Sequence, residues 1–551
     1  MAKLSLTDRA VVIQCSKYDI EDIDKAKTIP YAHHNNSNTE FITTIRNIDL
    51  VLALFRGIES LEDAVAKGLP KSVTDAYAAE ILRRRFTDKL LTEGPQGTSS
   101  WLRRHQQLGV ELSKIHDRFG FFYDTRTGKT PMGLQIIVDD VVANPSHKWL
   151  VLCPLILIEN AWLEDAAKFF PDIRIQSLHA TTKQKRLALF NKPAQIYVTN
   201  IESFIDYASY IEKLPIHGCL VDESSTMKSH SSKFGKAAVE YSHKVKRWYL
   251  LSGTPAPNNE SEYYRQLQSI DFYGVHKSWT QFKNHFFKNI SRNPQYEKLI
   301  LISEKEEEFI ALLRRYSLYI DKEDVLTTPG REFIIHEVHM PEELVKQYTQ
   351  MRIKLYAEFK DGLLITAPST AAKINKLNQI TSGFIIQNEE ATHLLSEYRF
   401  KALDDLLKNV IGSEKQVIIW ANYKEEFRVL KSIYKDRCGL VYGGVDITEK
   451  NANIRAFKEG KIQYLIANPA SADKGLTLTN THNAVYFSMN HSYELFKQSA
   501  ERIYGDVSIQ KDRCNYYILV APGTIDKAIY DSVISKRDMS MAILNHLKGG
   551  I

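Results

Sequence analysis

Two stretches of this chain share one pattern, in which short and predominantly apolar runs are separated by longer segments of mixed polarity. In the first stretch the runs fall at 121–123, 150–154, 195–199, 219–222 and 248–251. In the second they fall at 416–420, 440–442, 464–467, 484–487 and 515–520. A strand with one wet face alternates apolar and polar residues, and these runs do not. The pattern therefore predicts strands buried on both faces, in parallel sheets covered by helices. A charged stretch, 304–315, reads as a helix near the end of the first set. The front of the chain mixes short strand-like and helical patterns and ends in a basic helix around Arg83, Arg84 and Arg85. Glu93-Gly-Pro-Gln-Gly-Thr-Ser-Ser then reads as a linker.

The expectation is an α/β protein with two successive parallel-sheet domains behind a small α+β domain. The boundaries are set at 1–94, at 95–330 with a helical insertion, and at 331–551 with a helical lead-in. A length of 551 residues suits three or four domains. The longest apolar run, 149–158, is half of the roughly 20 residues that span a bilayer, so it reads as a buried strand.

Composition adds limits. With 44% hydrophobic and 25% charged residues the chain is neither disordered nor fibrous. A net charge of +6 permits a polyanionic partner without establishing one. Cys15, Cys153, Cys219, Cys438 and Cys514 are scattered, with no CxxC pair, which argues against a zinc module or a disulfide framework. MAKLSLTDRA lacks the apolar core of a signal peptide. The expectation from these features is a protein of the cytoplasm, or of the nucleus if the source is eukaryotic.

Three motifs carry chemistry. Asp124-Thr-Arg-Thr-Gly-Lys-Thr130 follows a strand candidate. A Gly-Lys-Thr at a strand-to-helix turn lets backbone N–H groups, Thr127 and Gly128 included, hold phosphate oxygens. Lys129 would reach the outer phosphates and Thr130 would ligate Mg²⁺. The first glycine of the strict pattern is absent, with Tyr123 in its place. Leu220-Val-Asp-Glu-Ser-Ser225 ends an apolar strand in two carboxylates. Asp222 can hold Mg²⁺, and Glu223 can orient or deprotonate the attacking water. Leu250-Leu-Ser-Gly-Thr-Pro-Ala-Pro runs a further strand into a rigid turn, where Ser252 and Thr254 can relay between the nucleotide and the second domain. Each motif alone has an ordinary explanation as a turn or a solvated strand end. Their order and separation make a nucleotide-binding sheet the better one.

With these motifs in order, the chain resembles the Swi/Snf-type DNA translocases of helicase superfamily two from about Trp101 onward. Leu102-Arg-Arg-His-Gln-Gln-Leu-Gly-Val110 resembles the adenine-reading entry, which makes Gln106 the adenine contact. Val151-Leu-Cys-Pro-Leu155, with Trp162 and Glu164 after it, resembles the next motif, which borders the DNA track. Val198-Thr-Asn200 resembles the one after that. In the second stretch the matching segments are Gln416-Val-Ile-Ile-Trp-Ala-Asn422, Val441-Tyr-Gly-Gly444, Ala470-Ser-Ala-Asp-Lys-Gly-Leu-Thr-Leu478, Gln498-Ser-Ala-Glu-Arg502 and Gly523-Thr-Ile-Asp526.

The resemblance implies two tandem RecA-like motor domains that hydrolyse ATP with Mg²⁺ while tracking along DNA as a monomer. Lys129, Asp222, Glu223 and Arg502 would carry the chemistry. Gln106, Thr127, Gly128, Thr130, Gly475 and Gln498 would complete the nucleotide contacts. DNA phosphates would be gripped near Pro154, Thr199, Asn200, Asn422, Gly443 and Ser471, with little sequence specificity. The segments 19–30, Tyr31-Ala-His-His and 41–51 resemble the HepA-related module that precedes the motor in annealing helicases, and the compact plan is similar to phage-encoded branch-migration helicases. The implied activity is remodelling of forked or branched DNA. A motor that displaces a DNA-bound protein such as RNA polymerase is the alternative enzyme, and a non-hydrolysing DNA-binding scaffold is the alternative of another class.

Two positions depart from the family. The second motif reads Asp-Glu-Ser-Ser instead of Asp-Glu-x-His. The second arginine of the sixth motif is replaced by Gly505, which leaves Lys511 or Arg513 to fold into its place.

Overall fold

The computed structural model describes residues 2–96, 101–291, 297–354, 356–358, 364–366, 369–387, 392–471, 478–508 and 510–548. The chain forms two compact units. One holds Met1–Val325 together with Met539–Ile551, and the other holds Leu326–Asp538.

In the first unit, the predominantly apolar runs become a parallel sheet. Among the described residues its seven strands lie in the order Ser317–Ile320, Arg118–Tyr123, Arg247–Leu251, Gly218–Asp222, Trp149–Cys153, Ile196–Asn200 and Ile175–Ser177. Neighbours pair in parallel, with Leu251 level with both Phe121 and Asp222, and Leu152 level with Val221 and Thr199. Both faces are dry: Trp149, Trp248 and Tyr249 are fully buried. A buried apolar side chain contributes roughly 1.5–3 kcal/mol on leaving water, so apolar residues on both faces of the middle of each strand are what a two-faced core demands. The runs at 121–123, 150–154, 195–199, 219–222 and 248–251 are all strands here, shifted by at most a few residues. Ile175–Ser177 and Ser317–Ile320, the outermost strands, are too short to stand out from their neighbours in sequence.

The front of the chain is α+β. Its antiparallel sheet has the order Lys3–Leu6, Ala10–Gln14, Glu40–Thr44 and His33–His34. It belongs to the same compact unit as the first parallel sheet, and half-buried polar bonds tie the two together. Arg46 donates to the carbonyls of Arg315 and Arg118, and its guanidinium lies 4.6 Å from the Tyr316 ring centre. Arg9 donates to the carbonyls of Val245 at 2.6 Å and Ser242 at 3.3 Å. Within the parallel-sheet part, Arg118 donates to the carbonyls of Ile270 and Ser242 beside the Arg9 contacts. The helices Lys233–Ser242 and Tyr264–Ile270 thus end on guanidinium groups, where a cation meets the negative end of a helix. All of these contacts gather at the amino edge of the sheet.

In the second unit the parallel sheet has the order Arg331–Glu337, Cys514–Val520, Asn483–Tyr486, Val417–Trp420, Tyr464–Ala467 and Cys438–Val441. The five expected runs are all present, and Arg331–Glu337 is an added edge strand. The lead-in is not purely helical. Helices Glu342–Lys354, Thr370–Thr381 and Tyr398–Asp405 alternate with the hairpins Tyr356–Glu358/Leu364–Thr366 and Phe384–Ile386/Thr392–Leu394. Gly523-Thr-Ile-Asp526 anchors it. Buried Asp526 pairs with buried Arg399 at 2.6 Å and also accepts from Thr381 and the Ala521 N–H. The remaining donors of Arg399 reach the carbonyls of Phe487 and Leu519.

The expected third domain, 331–551, does not hold to its end. The helix Ile525–His546 leaves the second unit, and Ile543, Leu544 and Leu547 pack into the core of the first. Those three apolar residues fill a face of the first sheet that the sequence assigns to no neighbour.

Candidate functional site

The strand Arg118–Tyr123 ends in a loop that opens the helix Lys129–Ala143. Gly128 caps that helix with φ +79°, a left-handed conformation that favours glycine. A Cβ there would also stand 2.0 Å from Gln106 Nε2. Pro131 sits in the first turn, where its missing N–H costs no helical bond. The result is a helix N-terminus with backbone donors facing outward, the arrangement that holds phosphate oxygens.

Several side chains hold this loop in place. Lys129 Nζ donates to the carbonyls of Tyr123 at 3.0 Å and Asp124 at 3.2 Å. Thr127 Oγ1 donates to the Asp124 carbonyl at 2.6 Å. Gln106, expected to read adenine, donates to the carbonyls of Gly128 and Thr127, while His105 Nε2 lies 2.7 Å from the Thr127 carbonyl. Thr130 is half-buried at the same turn.

Asp222 ends the strand Gly218–Asp222 and is 3% exposed. Burial, with the charge of Glu223 beside it, pushes its carboxyl up to about 6, and the Lys129 ammonium works in the opposite direction. The carboxylate accepts from Trp162 Nε1 at 3.1 Å and from the Glu223 N–H at 3.0 Å. Glu223 itself adopts φ +55°. The strand Arg247–Leu251 lies between the strands bearing Asp222 and the phosphate loop. Its turn follows the same edge: the Ser252 N–H donates to Phe121, and Thr254 N–H donates to Ser252 Oγ. A Cβ on Gly253 would lie 3.1 Å from the Thr125 backbone nitrogen, which shows how closely the third motif lies against the first. Lys129, Asp222, Glu223, Ser252 and Thr254 therefore gather at the carboxyl edge of one parallel sheet, the edge at which such sheets bind ligands.

Pro154 and Asn200 come to the same edge, because Cys153 is level with Asn200. Thr199 is 1% exposed inside its strand, and the Asn200 amide donates to Glu202 at 2.6 Å. In the second unit Asn422, Gly443 and Ser471 follow the carboxyl ends of neighbouring strands. Gly443 faces open space. Asn422 donates to the Ser488 carbonyl at 2.8 Å, and its backbone N–H donates to buried Glu426. Gly475 lies outside the described residues.

Arg502 sits at the opposite, amino edge of the second sheet. It is 8% exposed, and its carbonyl accepts from the Leu478 N–H at 2.9 Å. Gln498 lies one turn earlier, on the helix Tyr493–Ala500, with its amide 3.4 Å from Glu494. Arg513 does not fill the place at Gly505. It stands next to the strand Cys514–Val520 and pairs with Glu332 across the ladder at 3.2 Å. Lys511 is exposed. The cation next to this segment is Arg331, which lies 4.7 Å from the ring centre of Tyr504 and 3.2 Å from Glu501.

Residues 29–396 match the SNF2-related domain, and residues 398–504 match the helicase conserved C-terminal domain. The chain belongs to the SNF2-related family. Among the relatives of this SNF2-related chain is protein p41 of Acyrthosiphon pisum secondary endosymbiont phage 1, 25% identical over 438 residues, which cover 76% of this chain and 93% of that one. The SWI/SNF-related matrix-associated actin-dependent regulator of chromatin subfamily A-like protein 1 of Xenopus tropicalis is 22% identical over 97% of this chain and 55% of its own length. The human DNA excision repair protein ERCC-6-like is 20% identical over 87% of this chain and 43% of its own length. The chain thus spans about half the length of these two. Among solved structures, the Sulfolobus solfataricus SWI2/SNF2 ATPase core in complex with dsDNA is 17% identical, with a TM-score of 0.36, covering 81% of this chain and 97% of that one.

The two sheets of this SNF2-related chain are its tandem RecA-like domains, and membership makes it a motor of the ATP-dependent SNF2 type. Two residues at the site carry no local signal in the sequence. Gln266 bridges the second and third motifs, and Trp162, read from sequence as a neighbour of the DNA track, is bonded to Asp222. Both links join residues more than 40 positions apart.

Proposed function

We propose that this chain is an ATP-driven DNA translocase that remodels forked or branched DNA by branch migration, annealing or limited unwinding. One observation carries the reading: a phosphate-holding helix N-terminus, Lys129 and the Asp222–Glu223 pair share one edge of one sheet. The residues fit ATP with Mg²⁺, because a hard carboxylate buried beside a left-handed glycine turn offers oxygen and amide partners of the right kind. Asp222 and Thr130 would hold the metal, which would neutralise charge on the phosphates.

The loop's internal bonds then acquire a purpose. Lys129 must release the carbonyls of Tyr123 and Asp124 to reach a phosphate, and Gln106 must release those of Thr127 and Gly128 to meet a base. Binding exchanges one satisfied set of hydrogen bonds for another, which lowers the cost of an empty state. Glu223 orients the attacking water and accepts its proton. Arg502 stabilises the transferring phosphoryl group, a role worth about 10³–10⁵ in rate in other NTPases. DNA phosphates are met at the carboxyl edges, near Pro154 and Asn200 in one unit and near Asn422, Gly443 and Ser471 in the other. A phage protein among the relatives favours action in the cytoplasm of a bacterial or phage-infected cell, and the motor is taken to work as a monomer.

ATP hydrolysis measured with no nucleic acid, duplex, single strand, fork and RNA tests the reading. Strong stimulation by DNA, greatest with the fork, is expected. Stimulation equal for fork and plain duplex moves the choice to a motor that displaces a DNA-bound protein. DNA binding without turnover leaves the scaffold reading, which Gly505 favours.

A further inference from the structure

We infer that Trp162 is a positioning residue that ties the nucleic-acid edge of the first sheet to the metal-holding carboxylate of Asp222. The inference rests on the ATPase reading above and adds a route between its two halves.

The indole is 0% exposed, and its Nε1–H donates to Asp222 Oδ2 at 3.1 Å. The Glu223 N–H takes the other oxygen, Oδ1, at 3.0 Å. Each carboxylate oxygen therefore has one fixed donor and a lone pair left for a cation. The far edge of the ring is fixed as well. A Cβ at residue 133 would stand 3.0 Å from both Trp162 Cη2 and Leu220 Cδ1, so Gly133, on the helix that opens at Lys129, makes room for the ring and for the strand that ends in Asp222. Trp162 thus lies between the phosphate-facing helix and the metal-holding strand.

Its own backbone belongs to the other side of the problem. From Pro154 the chain makes one turn, Leu155–Leu157, and runs directly into a π-helical turn, Ile158–Leu163. A π turn carries an extra residue and recurs at functional sites. Leu155 is exposed at the carboxyl edge, and seven residues later Trp162 is buried against Asp222. A phosphate gripped at Pro154 moves the turn that carries the indole, and the indole sets the aim of Asp222. Other buried indoles also donate to side-chain oxygens, Trp149 to Asp140 and Trp248 to Ser269, and what sets Trp162 apart is that its acceptor is the carboxylate next to the phosphate loop. Trp162 touches no substrate and acts only through Asp222.

The test measures Mn²⁺ binding by electron paramagnetic resonance, using full-length protein with ADP, with and without duplex DNA. ADP affinity in EDTA and the melting temperature are followed in parallel. Trp162→Phe keeps most of the ring and removes the donor. The expected result is a loss of roughly 10–100-fold in Mn²⁺ affinity, the range for outer-shell partners of metal ligands, with ADP affinity in EDTA unchanged. The change in Mn²⁺ affinity that DNA produces in the wild type should vanish. Wild-type Mn²⁺ affinity in this variant overturns the inference. If Trp162→Phe does not fold, Gly133→Ala keeps the indole but crowds its edge, and an unaltered Mn²⁺ affinity there overturns it equally. A wild-type protein that binds no Mn²⁺ with ADP removes the ATPase reading itself, whereas normal wild-type binding matched by both variants removes this inference alone.

Discussion

The Ser224 hydroxyl donates to the Gln266 side-chain carbonyl at 2.8 Å, and the amide of the same glutamine donates to the Pro255 carbonyl at 2.8 Å. Through this one buried side chain, the segment after the Asp222–Glu223 pair is fastened to the turn of the third motif. Gln266→Met keeps the volume but strands both partners. A stability loss of about 1–3 kcal/mol is expected for the unpaired groups, together with a DNA-stimulated ATPase rate that falls more than the basal rate. Urea unfolding and steady-state turnover check the two parts, and an undiminished stimulation would mean that the bridge is only structural.

Lys129→Ala is expected to abolish ATP turnover while leaving most DNA affinity in place. Glu223→Gln is expected to bind ATP and hold it unhydrolysed. Filter-bound nucleotide and DNA titrations distinguish the two variants. Wild-type turnover in either variant removes the assigned site.

Gly128→Ala combines a left-handed backbone with the approach of Gln106 Nε2. Forcing a Cβ into that conformation costs roughly 1–2 kcal/mol, and the displaced glutamine disturbs the loop further. Nucleotide affinity should fall at least tenfold while the unfolding midpoint moves only slightly. Calorimetric titration with ADP reads the first, and a thermal melt reads the second.

Arg399 and Asp526 form a buried pair, and removing one member leaves an uncompensated buried charge, which typically costs about 3–5 kcal/mol. Asp526→Ala should therefore destabilise the second unit strongly. Arg399→Met combined with Asp526→Leu should restore much of the loss. A double mutant no more stable than Asp526→Ala would show that the carbonyl bonds of Arg399, and not its charge, hold the lead-in.

Glu426 is fully buried, and burial raises its carboxyl above the usual range. An acid whose folded value is raised keeps its proton in the folded state while the unfolded chain has already released it. Its stabilising contribution is complete below the unfolded value and is lost as pH rises through the folded one. Glu426→Gln imitates the protonated form. It should match the wild type near pH 4 and exceed it at pH 8 in urea midpoint. A constant difference between the two pH values would assign Glu426 an ordinary titration.

Much of the fold was legible because two-faced burial leaves a plain mark: ten apolar runs, ten parallel strands. The edge strands Ile175–Ser177, Ser317–Ile320 and Arg331–Glu337 escaped because they are short or only half-covered. Lys129, Asp222 and Glu223 could be read from local spacing, since a loop and a strand end fix their geometry within a few residues. The role of Gln266, the bond from Trp162 to Asp222 and the pairing of Arg513 with Glu332 could not. Each depends on which strands become neighbours, and that is a property of the whole sheet.

The segment Met539–Ile551 belongs to the first unit although 213 residues of the second precede it. Tyr319 N–H donates to the Leu547 carbonyl, and Lys548 pairs with Asp321 and Asp324. During synthesis, therefore, the edge strand Ser317–Ile320 is made early and waits for its last neighbour until the ribosome has finished the entire second unit. Apolar surface awaiting Ile543, Leu544 and Leu547 stays uncovered for that interval, so the core of the first unit is completed only after the second unit has been made.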